Sequence, residues 1–256
     1  MLNEGQVQEY GREGFLSGIP LMRHDQIQYY RDCFDALEAR EGRDKSQVEL
    51  VDRHFEEPFI WEIATYPGLL DCVETIIGPN ILMLSTHFFC KYGQQENFVA
   101  WHQDLRYWGI DPPVEVAAWY AVDDSDRKNG CMRVIPRLHR DKLLRHGKSE
   151  QQGNLLSINQ EIDISPSEEE KAVDCILKAG EMSLHDGLLV HGSLPNRSDR
   201  RRCGLTVRFI PTRVKPMASG PEGTGLRWRP ILVRGTDSER NFQLQSPPFS
   251  LETSDD

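Results

Sequence analysis

Apolar residues recur at helical spacing along the first third of the chain. Between His24 and Glu41, the positions Ile27, Tyr30, Phe34 and Leu37 fall three or four apart, and Leu69, Leu70, Val73, Ile76 and Ile77 repeat the pattern before the stop signal Gly78-Pro79. Residues 1–80 are therefore expected to be mainly helical. From Ile81 the texture changes. Short runs rich in β-branched and aromatic residues follow one another: ILMLSTHFFCKYG, NFVAWHQDLRYWG, EVAAWYAV, CMRVIP and, later, DCILKAGEMSLHDG, LLVHGS and RRCGLTVRFIP. Gly, Asn, Asp and Pro clusters separate them, which is the composition of strands and turns. The polar stretch 140–172, with DISPSEEE from Asp163 to Glu170, suits a surface linker or a lid ending in a helix cap. The tail, closing in SPPFSLETSDD, is expected to fray.

Helices followed by about eight short strands predict a mainly β fold with flanking α-helices. The expected core is a jelly-roll, cupin-like double sheet with the N-terminal helices packed on one face. A chain of 256 residues suits one such domain, divided into a helical part (1–80), a β core (81–235) and a tail (236–256). The mouth of a roll of this kind accepts a small molecule.

Composition narrows the partners. With 38% hydrophobic and 27% charged residues the chain is neither disordered nor membrane-like. Its apolar runs, such as Val116 to Val122, are far too short to span a bilayer. The N-terminus MLNEGQVQEYGREGF lacks the apolar core of a secretory signal, so a cytoplasmic protein is expected. Six cysteines without a CxxC pair read as reduced, mostly buried thiols. A net charge of -10 repels a phosphate backbone. The expectation is a monomer or homodimer acting on a small molecule, with neither nucleic acid nor membrane as partner.

The candidate chemistry begins at Trp101-His102-Gln103-Asp104. On a strand, His102 and Asp104 share one face and can grip one ion. A second histidine from a neighbouring strand completes a two-histidine, one-carboxylate triad, which leaves open positions on Fe(II) for a chelating cosubstrate and O2. The pair alone is weak: chance gives about one His-x-acid match among 8 histidines and 40 acidic residues, and this chain has three. His54-Phe-Glu56 and His139-Arg-Asp141 lie in polar or turn-like segments; only His102 has a strand setting. The second half of the signal is His191, delivered by an apolar run to a Gly-Ser turn. Arg202 then opens another strand and can face the metal from across the pocket. The distal carboxylate of a chelated 2-oxoglutarate needs such a bidentate, always-charged partner.

Together, WHQDLRYWG, EVAAWYAVDD, NGCMRVIPRLHR and KAGEMSLHDGLLVHGSLPNRSDRRR resemble the phytanoyl-CoA dioxygenase family, over about Ile81 to Pro211. The resemblance implies a double-stranded β-helix fold, Fe(II) held by His102, Asp104 and His191, and Arg202 paired with 2-oxoglutarate. Arg201 and Arg200 are its register-shifted alternatives. It further implies that Gln103, Trp119 and Ser193 line the cosubstrate pocket.

The implied reaction is hydroxylation of an unactivated C–H bond, with O2 consumed and succinate and CO2 released; ascorbate serves as reductant in vitro. Asp104 leaves no position for halide, so halogenation is not expected. If the strand runs on past Asp104, Arg106 and Trp108 share the inward face, which favours a polar or anionic substrate such as a phosphonate, a carboxylate, an amino-acid derivative or a natural-product intermediate. The rivals are a cupin-like metal-binding roll that does not use 2-oxoglutarate, and an oxygenase of carrier-tethered or CoA-linked groups. Arg202 separates the first rival, which has no need of it.

Overall fold

The computed structural model describes residues 1–140, 142–217 and 229–249. Asp141 and the tail residues 250–256 thus lie outside the described residues. Six antiparallel strands form the larger sheet, in the order β1 (Phe15–Pro20), β10 (Glu181–Asp186), β5 (Val116–Ala121), β12 (Arg202–Pro211), β2 (Ile81–Lys91) and β14 (Ile231–Arg234). A second sheet runs β3 (Val99–His102), β11 (His191–Ser193), β6 (Met132–Val134) and β9 (Val173–Cys175). Two small ribbons, β4 (Ile110–Asp111) with β13 (Lys215–Pro216) and β7 (Gly147–Lys148) with β8 (Gln160–Glu161), decorate the ends. The core is a jelly-roll-like double-stranded β-helix, as expected.

Strand alternation explains how the larger sheet serves two environments. On β12, Cys203, Leu205, Val207 and Phe209 are fully buried in the main apolar core, beside Phe34 and Leu37 of α2 (His24–Glu41) and Leu69 and Val73 of α5 (Pro67–Ile77). Arg202, Thr206 and Arg208, at the even positions, line a cleft on the opposite face. Helices α1 (Glu4–Glu13), α3 (Arg43–Val48) and α4 (Pro58–Ala64) complete the N-terminal part. Helix α1 starts in a capping box in which Asn3 and Gln6 satisfy each other's backbone N–H groups.

Three local features differ from the hydrophobic pattern. Strand β1 was not expected among the N-terminal helices; it pairs with β10 at the sheet edge, where Gly18 (φ 74°) and Pro20 break the two-residue period that would have revealed it. Strand β3 ends at His102, and Asp104–Tyr107 forms a 3-10 turn. The 140–172 stretch holds β7, β8 and one helical turn, α6 (Pro166–Glu169), capped by Ser165 and Glu168. All six cysteines are free, and all but Cys33 are buried. Among the described residues no helix is long and apolar enough to cross a membrane.

Candidate metal centre

Strands β3 and β11 are neighbours, and their register sets His102 directly opposite His191, with ring centroids 4.1 Å apart. Gln103 keeps an extended backbone (φ −121°, ψ 131°), so alternation carries one residue beyond the strand and returns Asp104 to the side of His102. His102 Nε2 lies 3.5 Å and His191 Nε2 4.0 Å from Asp104 Oδ1. One ligand atom from each of the three buried residues falls within 4.8 Å of the others.

The surroundings put each side chain in the form a metal requires. Nδ1 of His102 sits 2.9 Å from the Ala100 carbonyl, and Nδ1 of His191 sits 2.9 Å from that of Leu189. An Nδ1–H donated to each carbonyl leaves the Nε2 lone pair facing Asp104. Burial, then the neighbouring His102 and His185 rings, push the His191 pKa well down and keep it neutral. Burial alone would raise the Asp104 carboxyl, but Arg208, with help from His102, His185 and His191, reverses this and holds it ionised. Two neutral imidazoles and one carboxylate on one face suit Fe(II) with open positions.

The triad borders a small cleft between the two sheets. Phe89, Val99 and Met132 give it apolar walls, while His185, Thr206 and Arg208 supply polar groups. Arg208 grips Asp104 with two parallel bonds of 3.2 Å, and its Nε is 3.7 Å from Glu115. Glu115 is buried beside this pair, and burial followed by the Asp104 charge raises its pKa well above the usual carboxylate range. His185 Nε2 lies 3.6 Å from the second Asp104 oxygen. Arg208, Glu115 and His185 escaped the motif reading. The even spacing of Arg202 and Arg208 along one strand was the available signal for the first.

Residues 13–204 match the sequence profile of phytanoyl-CoA dioxygenase (PhyH). The chain belongs to the PhyH family. The match starts well before Ile81, so the helical part shares in the resemblance. Human peroxisomal phytanoyl-CoA dioxygenase is 26% identical over 224 residues, covering 78% of this chain and 66% of the human protein, just under two thirds of its length. The non-heme monooxygenase ThoJ is 25% identical with a TM-score of 0.74, over 94% of this chain and 86% of its own. CytC3 with Fe(II) and alpha-ketoglutarate shares the fold at 20% identity and a TM-score of 0.67, over 96% and 93% of the two chains. This PhyH protein carries the fold and the facial metal triad of the Fe(II)/2-oxoglutarate-dependent oxygenase superfamily to which that family belongs. The cytoplasmic expectation is overturned by the relatives from Homo sapiens, Bos taurus, Mus musculus and Rattus norvegicus, whose names specify the peroxisome. Receptor-read addresses need no apolar leader, so the character of the N-terminal residues does not distinguish these compartments.

Within the PhyH site, the other sequence-predicted residues divide into two groups. Arg202, Ser193 and Trp119 line the cleft together: Arg202 Nη2 is 3.5 Å from Ser193 Oγ, and its guanidinium stands 5.5 Å from the Trp119 ring. Arg202 is 2% exposed, and its Nε has no hydrogen-bond partner. Arg201 turns to the other side and pairs with Asp35, Glu38 and Asp123, while Arg200 pairs with Asp126. The second group lies elsewhere. The Gln103 amide donates to the Leu188 and Lys142 carbonyls and accepts from the Leu144 N–H, fastening the 138–146 segment instead of facing the cleft. Because β3 stops at His102, Arg106 and Trp108 do not continue an inward face; Trp108 packs in a separate apolar cluster, 5.7 Å from Arg208. His54, the rival to His102, hydrogen-bonds to Thr86 Oγ1.

Proposed function

We propose that the protein is a 2-oxoglutarate-dependent hydroxylase of a small, polar or anionic molecule, with Fe(II) on His102, Asp104 and His191 and the cosubstrate's distal carboxylate on Arg202. The observation that carries the reading is the Arg202 guanidinium, buried in the same cleft as the triad with its Nε unpartnered and, among the described residues, no acidic group within ion-pair distance. A buried charge without a counter-charge is costly, and a carboxylate entering the cleft removes that cost. Iron with 2-oxoglutarate supplies O2 activation, in which the cosubstrate becomes succinate and CO2 and one oxygen atom enters the substrate C–H bond.

The chain's own residues bind, orient and keep the site dry. His102 and His191 are fixed in tautomer by their carbonyl partners, and Arg208 fixes the plane of Asp104. Ser193 and Trp119 flank Arg202, while Phe89, Val99 and Met132 exclude water. The polar character of the substrate rests on His185, Thr206 and Arg208 at the metal end of the cleft, in place of Arg106 and Trp108.

A second reading, a CoA-linked or carrier-tethered substrate, draws support from a groove that adjoins the cleft at Val99 and Ser193 and carries Arg133, Arg145 and Lys148. Cations there suit the phosphates of a carrier. The human relative's name points the same way. A succinate-release screen with Fe(II), ascorbate, O2 and 2-oxoglutarate tests both readings. Small free acids, phosphonates and amino-acid derivatives form one arm, and acyl-CoA thioesters the other. Stimulation by the first arm alone supports the principal reading, by the second alone the alternative, and none with either arm argues against hydroxylation.

A further inference from the structure

Lys91 ends β2 and Arg202 begins β12, and the antiparallel register sets them directly opposite each other. Cross-strand partners share a face, so two cations stand side by side at one end of the larger sheet. Both are buried, at 1% and 2% exposure. Like charges in that relation repel, and burial adds to the cost. Among the described residues neither has an acidic group within ion-pair distance. An anion entering the cleft would offset that repulsion.

Lys91 does not line the cleft itself. Its Nζ lies 2.6 Å from Ser193 Oγ, 2.6 Å from the Leu194 carbonyl and 3.3 Å from the Ser193 carbonyl, so its three N–H bonds have three oxygen acceptors. Asn196 Nδ2 in turn donates to the Lys91 carbonyl and ties the end of β2 to the turn after β11. Ser193 Oγ thus accepts from Lys91 and faces Arg202 Nη2 at 3.5 Å, which makes both neighbours donors. A hydroxyl flanked by two donors has its own proton free to donate, and the remaining direction is the cleft that Ser193 lines.

We propose that Lys91 is a positioning residue for the distal carboxylate of the cosubstrate: acting through Ser193, it turns the serine hydroxyl toward that carboxylate and places a second positive charge behind it. The inference rests on the 2-oxoglutarate reading and adds a residue to it. Burial, then the Arg202 charge, lower the lysine's pKa well below its ordinary value, and a carboxylate in the cleft opposes both effects. Anion and ammonium stabilise each other.

The test compares two 2-oxo acids on Mn(II)-loaded protein by anaerobic titration calorimetry. 2-Oxoglutarate uses the distal carboxylate, whereas 2-oxobutyrate has the same chelating end and lacks it. Lys91→Met is expected to weaken 2-oxoglutarate at least tenfold while changing 2-oxobutyrate less than twofold. Ser193→Ala should weaken 2-oxoglutarate similarly, and the double variant no more than the stronger single one, because both changes break one path. Lys91→Gln keeps an N–H donor without the charge; it serves where Lys91→Met fails to fold, and should also weaken 2-oxoglutarate selectively. Equal affinities in wild type and lysine variants, or equal losses for both acids, overturn the proposal. If wild-type protein binds neither acid, the 2-oxoglutarate reading itself falls, and the proposal with it.

Discussion

Arg208 holds both oxygens of Asp104: Nε is 3.2 Å from Oδ2 and Nη2 is 3.2 Å from Oδ1. A planar fork on a carboxylate fixes its plane and so decides which lone pairs face His102 and His191. Arg208→Met leaves a buried carboxylate without its cation, a loss of about 3–5 kcal/mol in stability. Metal affinity should drop roughly 10- to 100-fold, the usual effect of removing a partner of a metal ligand. Arg208→Lys restores charge without the fork and should fall between. Chelator competition with Mn(II) checks this; wild-type affinity in both variants would contradict the role.

Arg202 and Arg201 are adjacent but face opposite sides of the larger sheet. Arg202→Met should raise the 2-oxoglutarate concentration for half-saturation roughly 10- to 100-fold, the value of a charge-assisted pair. Arg201→Ala instead removes the ion pairs with Asp35, Glu38 and Asp123 on the helix side. It should lower the melting temperature while leaving half-saturation within twofold. The reverse pattern would contradict the roles given to the two arginines.

His87 gives stability a pH dependence. Burial, then the Arg208 charge, push its pKa down to about 4, while an unfolded imidazole titrates near ~6.5. Between these values the unfolded chain binds more protons than the folded one. The contribution is therefore complete above the unfolded value and is lost as pH falls toward about 4. Melting temperatures of wild type and His87→Gln, followed from pH 7 down to 4.5, should show a shallower fall in the variant; parallel curves would refute the assignment.

Gly204 is required by space. A Cβ there would come within 2.0 Å of the Trp119 ring, which flanks Arg202. Gly204→Ala should displace that ring, lower the melting temperature and weaken 2-oxoglutarate binding. Tryptophan emission and melting measure the first two effects, and an unchanged spectrum would contradict the contact.

The triad was legible because metal ligation restricts residue type and strand alternation restricts spacing; His102-x-Asp104 satisfies both even though Asp104 sits one residue past the strand. The helices were legible from their apolar period. Strand β1 was hidden by Gly18 and Pro20, and the strand's stop at His102 had no breaker to announce it, so Arg106 and Trp108 were assigned to the wrong face. Gln103 has the expected position in the chain but bonds to the 138–146 loop, a partner that local spacing does not reveal. Lys91, Glu115 and His185 reach the site region only through sheet register, a long-range relation that a single sequence does not display.

The central claim is that His102, Asp104 and His191 hold Fe(II) in a form that 2-oxoglutarate can chelate. Anaerobic addition of 2-oxoglutarate to the Fe(II)-loaded protein should produce a weak visible charge-transfer band, saturating at one equivalent per iron in wild type and absent from His191→Ala. A colourless wild-type titration, or a full band in the variant, would contradict the account.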